Sequence, residues 1–284
     1  MRHGLPWRAR AWEAARLSAT GALWIFAGSD PSGGAGLWRD QATARACAPE
    51  MPQAAVVTAW TRQGVGAPAT SRGRAAAHVL ADLELLTADA EAPTAIKIGL
   101  LPAALIAELL PRLAELGAPV VLDPVLLASD GGDLGASAVR LREVLRGMSP
   151  VTRSRWLICP NHAEAAALAE ADADDPDLLV RLVESLGGPA ILLKDDGRDP
   201  LKVRDRLWQD GAVYALARPR QPGPDPRGTG CALATAIACG LARGRPLRHA
   251  VAAGVAWLDA VRSWTHAGPD GRPHLPDAGP PLPA

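Results

Sequence analysis

An α/β fold with a doubly wound, mostly parallel sheet is what this sequence predicts, and three observations carry the prediction. Short apolar runs recur along the chain, bounded by Gly, Pro or Asp: ALWIFAG at 22–28, AAVVTAW at 54–60, AIKIG at 95–99, PVVLD at 119–123, WLICPN at 156–161 and AILLK at 190–194. The runs are continuous rather than alternating, which suits strands covered on both faces. Between them lie alanine- and leucine-rich segments of helical length, near 36–46, 71–88, 102–116, 136–147, 162–171 and 176–186. Strand alternating with helix implies crossover connections and therefore parallel pairing.

The pattern changes after Lys194. VRDRLWQDGAVYALA reads as two strands around Gln209-Asp210-Gly211, an Asp-Gly hairpin signal that predicts an antiparallel edge. Helices are expected again at 230–243 and 246–264, followed by the proline-rich, irregular HAGPDGRPHLPDAGPPLPA. The layout expected is an N-terminal extension over 1–20, a single domain over 21–266 and a tail over 267–284. No internal repeat or interdomain linker interrupts it.

Composition narrows the function classes. In 284 residues, 30 Lys+Arg balance 30 Asp+Glu, so no basic field gathers nucleic acid or an anionic membrane, and a small-molecule partner is expected. The arginine-rich start lacks a long apolar stretch or a small-residue cleavage pattern and reads as an extension. No apolar run is long enough for a membrane span. Cys47, Cys159, Cys231 and Cys239 show no CxxC spacing, so neither a zinc knuckle nor a disulfide framework is indicated, and a cytoplasmic location is expected.

In doubly wound sheets ligands bind beyond the carboxyl ends of the strands, and there the polar residues of this chain gather. AGSDPSGGAG, 27–36, comes directly after the first run; it has no Gly-Lys-Ser/Thr, and Arg39 stands where a dinucleotide fingerprint needs glycine. Gly28 and its neighbours permit either close backbone approach to a ligand or an ordinary turn. Asp123 could serve a magnesium ion, as could Glu164 with Asn161; Asn161 and Glu164, three apart, could equally form a capping box. Lys97 and Lys194 sit in or at the end of apolar runs, where an ammonium must meet an anion or snorkel to water. RGTGCALATAIACG, 227–240, places Gly228, Thr229 and Gly230 at a helix mouth, where unpaired N–H groups make an anion site. Cys231 in that position is expected to have a lowered pKa and to act as base or nucleophile; a small buried thiol is the alternative.

Together AGSDPSGGAG with Asp40 downstream, VVTAWTRQ ending in Gln63, IKIGLL, VVLDPV, CPNHAEA, ILLK and GTGCALATAIA resemble the hydroxymethylpyrimidine/phosphomethylpyrimidine kinases of thiamine biosynthesis, within the ribokinase-like superfamily. The resemblance runs from about Leu23 to about Gly244. It implies a three-layer α/β/α sandwich, ATP and Mg2+ as cofactors, and phosphoryl transfer to the primary alcohol of 4-amino-5-hydroxymethyl-2-methylpyrimidine and then to its monophosphate. By matching positions, Gly28, Asp40 and Gln63 would bind the pyrimidine, Asn161 and Lys194 the nucleotide, and Asp123 and Glu164 the metal. Gly228, Thr229, Gly230 and Cys231 would form the anion hole and base. The expected assembly is a homodimer.

Four features depart from the family pattern. Lys194-Asp195-Asp196-Gly197 replaces the usual Lys-Gly-Gly-His, Arg227 stands where histidine is common, Ser129 and Asp130 lie where a lysine is usual, and Trp38 and Trp60 are bulky near the expected pyrimidine pocket. The added acids bear on the second phosphorylation. A pyridoxal or other heterocyclic-alcohol kinase, and a catalytically impaired pyrimidine sensor, are the alternatives these departures suggest.

Overall fold

The computed structural model describes residues 21–64, 67–126, 132 and 134–283. The expected extension over 1–20, Ser129, Asp130 and the side chain of Gln63 lie outside the described residues. In chain order the elements are β1 (Leu23–Ser29), α1 (Gly36–Cys47), β2 (Gln53–Gly64), β3 (Ala67–Gly73), α2 (Ala76–Asp89), β4 (Ala95–Ile98), α3 (Ala103–Glu115), β5 (Val120–Leu122), α4 (Ala138–Gly147) and α5 (Pro150–Arg153). They continue with β6 (Trp156–Ile158), α6 (His162–Ala169), α7 (Leu178–Leu186), β7 (Ala190–Leu193), β8 (Lys202–Gln209), β9 (Ala212–Pro219), α8 (Thr229–Ala242), α9 (Leu247–Arg262), β10 (His266–Ala267) and β11 (Pro273–His274).

One sheet runs in the order β3-β2-β1-β4-β5-β6-β7-β8-β9. Its centre, β2 to β7, is parallel; β3 pairs antiparallel at one edge, and β7, β8 and β9 pair antiparallel at the other. The second antiparallel edge was not expected. APATSRG, at 67–73, is small and polar, so nothing in it reads as a strand; the helix expected from 71 starts at Ala76.

The continuous apolar runs have a direct cause. In β1, Leu23, Ile25 and Ala27 face a core built with α1, α8 and α9, while Trp24 and Phe26 face a second core built with α2, α3, α4, α6 and α7. Every β1 side chain is buried, because successive residues point to opposite faces and both faces carry helices. The helices obey the same logic: α3 turns Leu105, Ile106, Leu109, Leu110 and Leu113 onto one buried stripe. The result is the three-layer α/β/α sandwich.

Connections from β1 and β4 leave on opposite sides of the sheet, so the strand order reverses between them and opens a crevice above their carboxyl ends. The proline-rich tail is largely irregular but contributes the short β10–β11 ladder and buries Leu275 and Leu282 in the α8–α9 core.

The two faces imply a graded response to truncation. Leu109→Ala, emptying a fully buried position, should cost about 2–5 kcal/mol in urea unfolding, whereas Leu201→Ala, at 74% exposure, should change stability by less than about 0.5 kcal/mol.

Candidate functional site

A cleft of ≈ 1240 Å³ lies at this crevice. Its floor is made by strand ends and the residues just beyond them: Gly28 from β1, Lys97 and Gly99 at β4, Asp123 after β5, Asn161 and Glu164 at the start of α6, and Lys194 after β7. Gly228, Thr229, Gly230 and Cys231, at the N-terminus of α8, close one side. Of the sequence-predicted site residues whose side chains are described, all but Asp40 line this one cleft.

The mouth of α8 is built for an anion. Gly228 is its N-cap, with φ 76 and no side chain capping the first turn, and a Cβ there would collide with the carbonyl oxygen of Gly34. The first amides of the helix have no intrahelical acceptor and carry the positive end of its dipole. At Gly230 a Cβ would stand 3.3 Å from Lys194 Nζ and 3.4 Å from Asp123 Oδ2, so glycine lets a lysine and a carboxylate approach the same turn. Backbone donors, a cation and a carboxylate thus converge within one small volume.

Lys194 Nζ donates to Asp123 Oδ1 at 2.9 Å and lies 3.9 Å from Glu164 Oε2. Burial alone would lower its pKa, but Asp123 and Glu164 outweigh burial and hold the ammonium above its ordinary value. Asn161 and Glu164 form a complete capping box: the Asn161 side chain accepts from the Glu164 N–H at 2.8 Å, and Glu164 Oε2 accepts from the Asn161 N–H at 2.9 Å. Capping and cleft-lining are therefore one arrangement, since the box fixes the Glu164 carboxylate toward Lys194. Burial pushes Glu164 up to about 7, against the pull of Lys194.

Asp123 and Glu164 also decide how a magnesium ion fits. Among the described residues no group of three or more His, Cys, Asp or Glu could hold a metal alone. Mg2+ keeps several waters and commonly takes only one or two carboxylates together with substrate phosphates, which is the donor set this cleft offers.

Asp40 stands one layer behind the cleft. It is fully buried, accepting from Lys97 Nζ at 2.6 Å and from Thr235 Oγ1 at 2.9 Å, and does not line the cleft as a direct substrate contact would. Its place in α1 lets it hold Lys97, which does reach the cleft. Burial opposes the Lys97 charge, but Asp40, aided by Cys231 and Asp123, raises its pKa.

Cys231 corrects a second expectation. Burial is the largest influence on its thiol and pushes it up to about 12; Lys97 and a hydrogen bond from the Gly36 N–H pull the other way, while Asp40 and Asp123 add to the rise. A helix end supplies only about half a charge, which does not replace lost hydration beside two carboxylates. The remaining thiols, Cys47, Cys159 and Cys239, are buried and free.

The departures from the family pattern are largely neutralised. Asp195 accepts from the backbone N–H groups of Gly197 and Arg204 and pairs with Arg220; burial works against its carboxylate, but these donors hold its pKa below the ordinary range. Asp196 lies 3.7 Å from Arg198 Nε. Trp38 and Trp60, 54% and 49% exposed, do not line the cleft. Sequence reasoning missed Arg272 and Pro273, which do line it. They lie in the tail, where no periodicity marks them.

The family described as phosphomethylpyrimidine kinase matches residues 30–273 of this chain. Among curated relatives, a hydroxymethylpyrimidine/phosphomethylpyrimidine kinase of Rhizobium meliloti is 33% identical over 246 residues, covering 84% of this chain and 89% of its own. The enzyme of the same name from Streptomyces coelicolor is 34% identical, covering 80% and 83%. A solved structure of pyridoxal kinase from Staphylococcus aureus in complex with AMP-PCP superimposes with a TM-score of 0.76 at 20% identity, over 92% of this chain and 95% of that one, which shows the ribokinase-like fold.

A thiol raised to about 12 has a measurable signature. In the unliganded protein, alkylation of Cys231 by iodoacetamide should rise roughly tenfold per pH unit from about pH 7 to about 10 without levelling, whereas an ordinary thiol levels near its pKa of about 8.5. Mass spectrometry of the Cys231 peptide reads the rate. A plateau below about pH 9 would contradict a half-buried thiol held protonated beside Asp40 and Asp123.

Proposed function

Because the chain belongs to the phosphomethylpyrimidine kinase family, we propose that it transfers the γ-phosphoryl group of ATP to the primary alcohol of 4-amino-5-hydroxymethyl-2-methylpyrimidine, and then a second phosphoryl group to the monophosphate. The single observation that carries this reading is the convergence of the α8 N-terminus, Lys194 and Asp123 at Gly230. Phosphoryl transfer is catalysed mainly by positioning and by stabilising charge on the equatorial oxygens, which is what backbone donors and a cation at one turn supply.

The residues divide the work. The N–H groups at Thr229, Gly230 and Cys231 receive the charge developing on the transferred group. Lys194 holds the nucleotide phosphates, with Asn161 at the same wall. Asp123 and Glu164 would hold Mg2+, which when bound supplies charge neutralisation across the phosphates. Gly28 lines the pyrimidine side of the cleft, where its missing Cβ lets Leu100 pack against β1, since a Cβ there would meet Leu100 Cδ2 at 2.9 Å, and Gln63 reads the ring edge. Asp40 acts through Lys97 rather than on the substrate.

Cys231 takes the proton from the attacking alcohol. Its thiolate is scarce at neutral pH, and the loose transition state of phosphoryl transfer makes demand on a base late, when the alcohol has become acidic. The pairing of Asp195 with Arg220 supports the second phosphorylation, because it removes an unpaired acid from beside a charged acceptor. A homodimer is supported by the exposure of Trp38 and Trp60, and a cytoplasmic location by the free cysteines; no helix among the described residues is long and apolar enough to cross a membrane.

Purified protein with ATP, Mg2+ and the pyrimidine alcohol should form monophosphate and then pyrophosphate, resolved by chromatography. Cys231→Ala should lower kcat by about 10²–10⁴-fold and flatten a pH–rate profile that otherwise climbs from neutral to alkaline pH. Pyridoxal turned over in preference to the pyrimidine would replace this substrate assignment, and tight pyrimidine binding without ATP binding would make the protein a sensor.

A further inference from the structure

We propose that residues 268–277 form a strap that positions the phosphoryl-binding turn of α8, with Arg227 as the positioning residue. Arg227 directly precedes the N-cap Gly228 and is buried. Its guanidinium donates to Asp30 Oδ2 at 2.8 Å and lies 3.2 Å from Asp270 Oδ2; the three side chains are 4%, 1% and 5% exposed. Asp270 Oδ1 is 2.8 Å from His274 Nε2, and the Arg227 N–H donates to the Pro273 carbonyl at 2.8 Å. One residue before the anion hole is thus tied by its side chain and backbone to the loop after β1 on one side and to the tail on the other.

Both anchorages are themselves held. Asp30 accepts from the Ser32 N–H at 3.0 Å and the Ser32 hydroxyl at 2.9 Å. Farther along the tail the buried Arg39 donates to the Pro276 carbonyl at 2.7 Å and to Asp277 Oδ1 at 3.0 Å. The Leu282 N–H bonds the Cys47 carbonyl at 3.1 Å, and Trp257 Nε1 bonds the Pro280 carbonyl at 2.8 Å. Burial disfavours the Asp270 carboxylate, yet the Arg272 N–H, His274 and Arg227 lower its pKa below the ordinary range.

The choice of arginine stems from the geometry. A guanidinium keeps its charge and presents donors in a rigid planar fork, so one side chain can serve carboxylates on two separate loops; an ammonium is a compact point charge. Because Gly228 has no side chain to fix its own turn, the direction of the first α8 amides depends on what holds Arg227. The strap also brings Arg272 and Pro273 into the cleft wall, so tail and anion hole form one surface.

This inference rests on the kinase reading for its catalytic arm and on geometry alone for its structural arm. In the full chain, Arg227→Met and Asp270→Asn should speed amide exchange at Arg227 and along 268–277, leaving the interior of α8 as in the wild type. Both should lower kcat by roughly 10- to 100-fold with KM for ATP and pyrimidine alcohol within about threefold, since donors are mis-aimed rather than removed. Arg227→Lys should fall between, and Leu201→Ala, whose 74% exposed side chain makes none of these contacts, should behave as wild type. Unchanged exchange in folded Arg227→Met would overturn the strap; faster exchange along all of α8, with KM and kcat impaired together, would reduce Arg227 to a general stabiliser. If Arg227→Met does not fold, Asp270→Asn decides by the same measures. If the wild type fails to phosphorylate the pyrimidine, the substrate assignment falls while the exchange comparison still decides the strap.

Discussion

Lys97 and Asp40, each without exposed surface, are joined at 2.6 Å, and that pair ties together the elements that border the candidate site. Lys97 comes from β4 beside the point where strand order reverses, Asp40 from α1, and Thr235 of α8 completes the carboxylate's bonding. One buried ion pair therefore links the central sheet to the two helices whose starts border the cleft. Such a pair contributes little net stability compared with apolar packing, but losing either partner would strand a charge in the interior. The pair adds a polar match to the apolar packing of α1 and α8 on the sheet, since Asp40 meets both Lys97 and Thr235.

The same arrangement explains the electrostatics above it. Lys97 borders the cleft floor without exposed surface, Lys194 shares that floor with Asp123 and Glu164, and the α8 N-terminus adds its dipole. The chain as a whole is neutral, so attraction for an anionic ligand is local. The two acids added after β7 do not cancel it, because Arg220 and Arg198 take up Asp195 and Asp196.

The sequence carried the fold wherever burial on two faces wrote itself as a continuous apolar run, as in β1, β5, β6 and β7. It did not reveal β3, whose residues sit on an edge with little hydrophobic demand, or the β10–β11 ladder, where two residues per strand leave no periodicity. Among site residues, those at strand ends were readable because a polar residue directly after an apolar run marks the ligand-binding edge. Asp40 was legible as a motif residue, but a motif fixes sequence distance and not the direction of an α1 side chain, which here runs to Lys97 and Thr235. Arg272 and Asp270 were invisible because tertiary return of the tail, rather than any local pattern, brings them to the cleft. The Cys231 expectation failed on magnitude: the helix end was weighed, and the loss of water beside two carboxylates was not.

That failure has a consequence outside phosphoryl transfer. Oxidants such as peroxide attack the thiolate, and a thiol that stays protonated is a poor target. A raised Cys231 thiol is therefore expected to form sulfenic acid slowly, so a half-buried cysteine can stand at a helix mouth without making the enzyme hostage to the redox state around it.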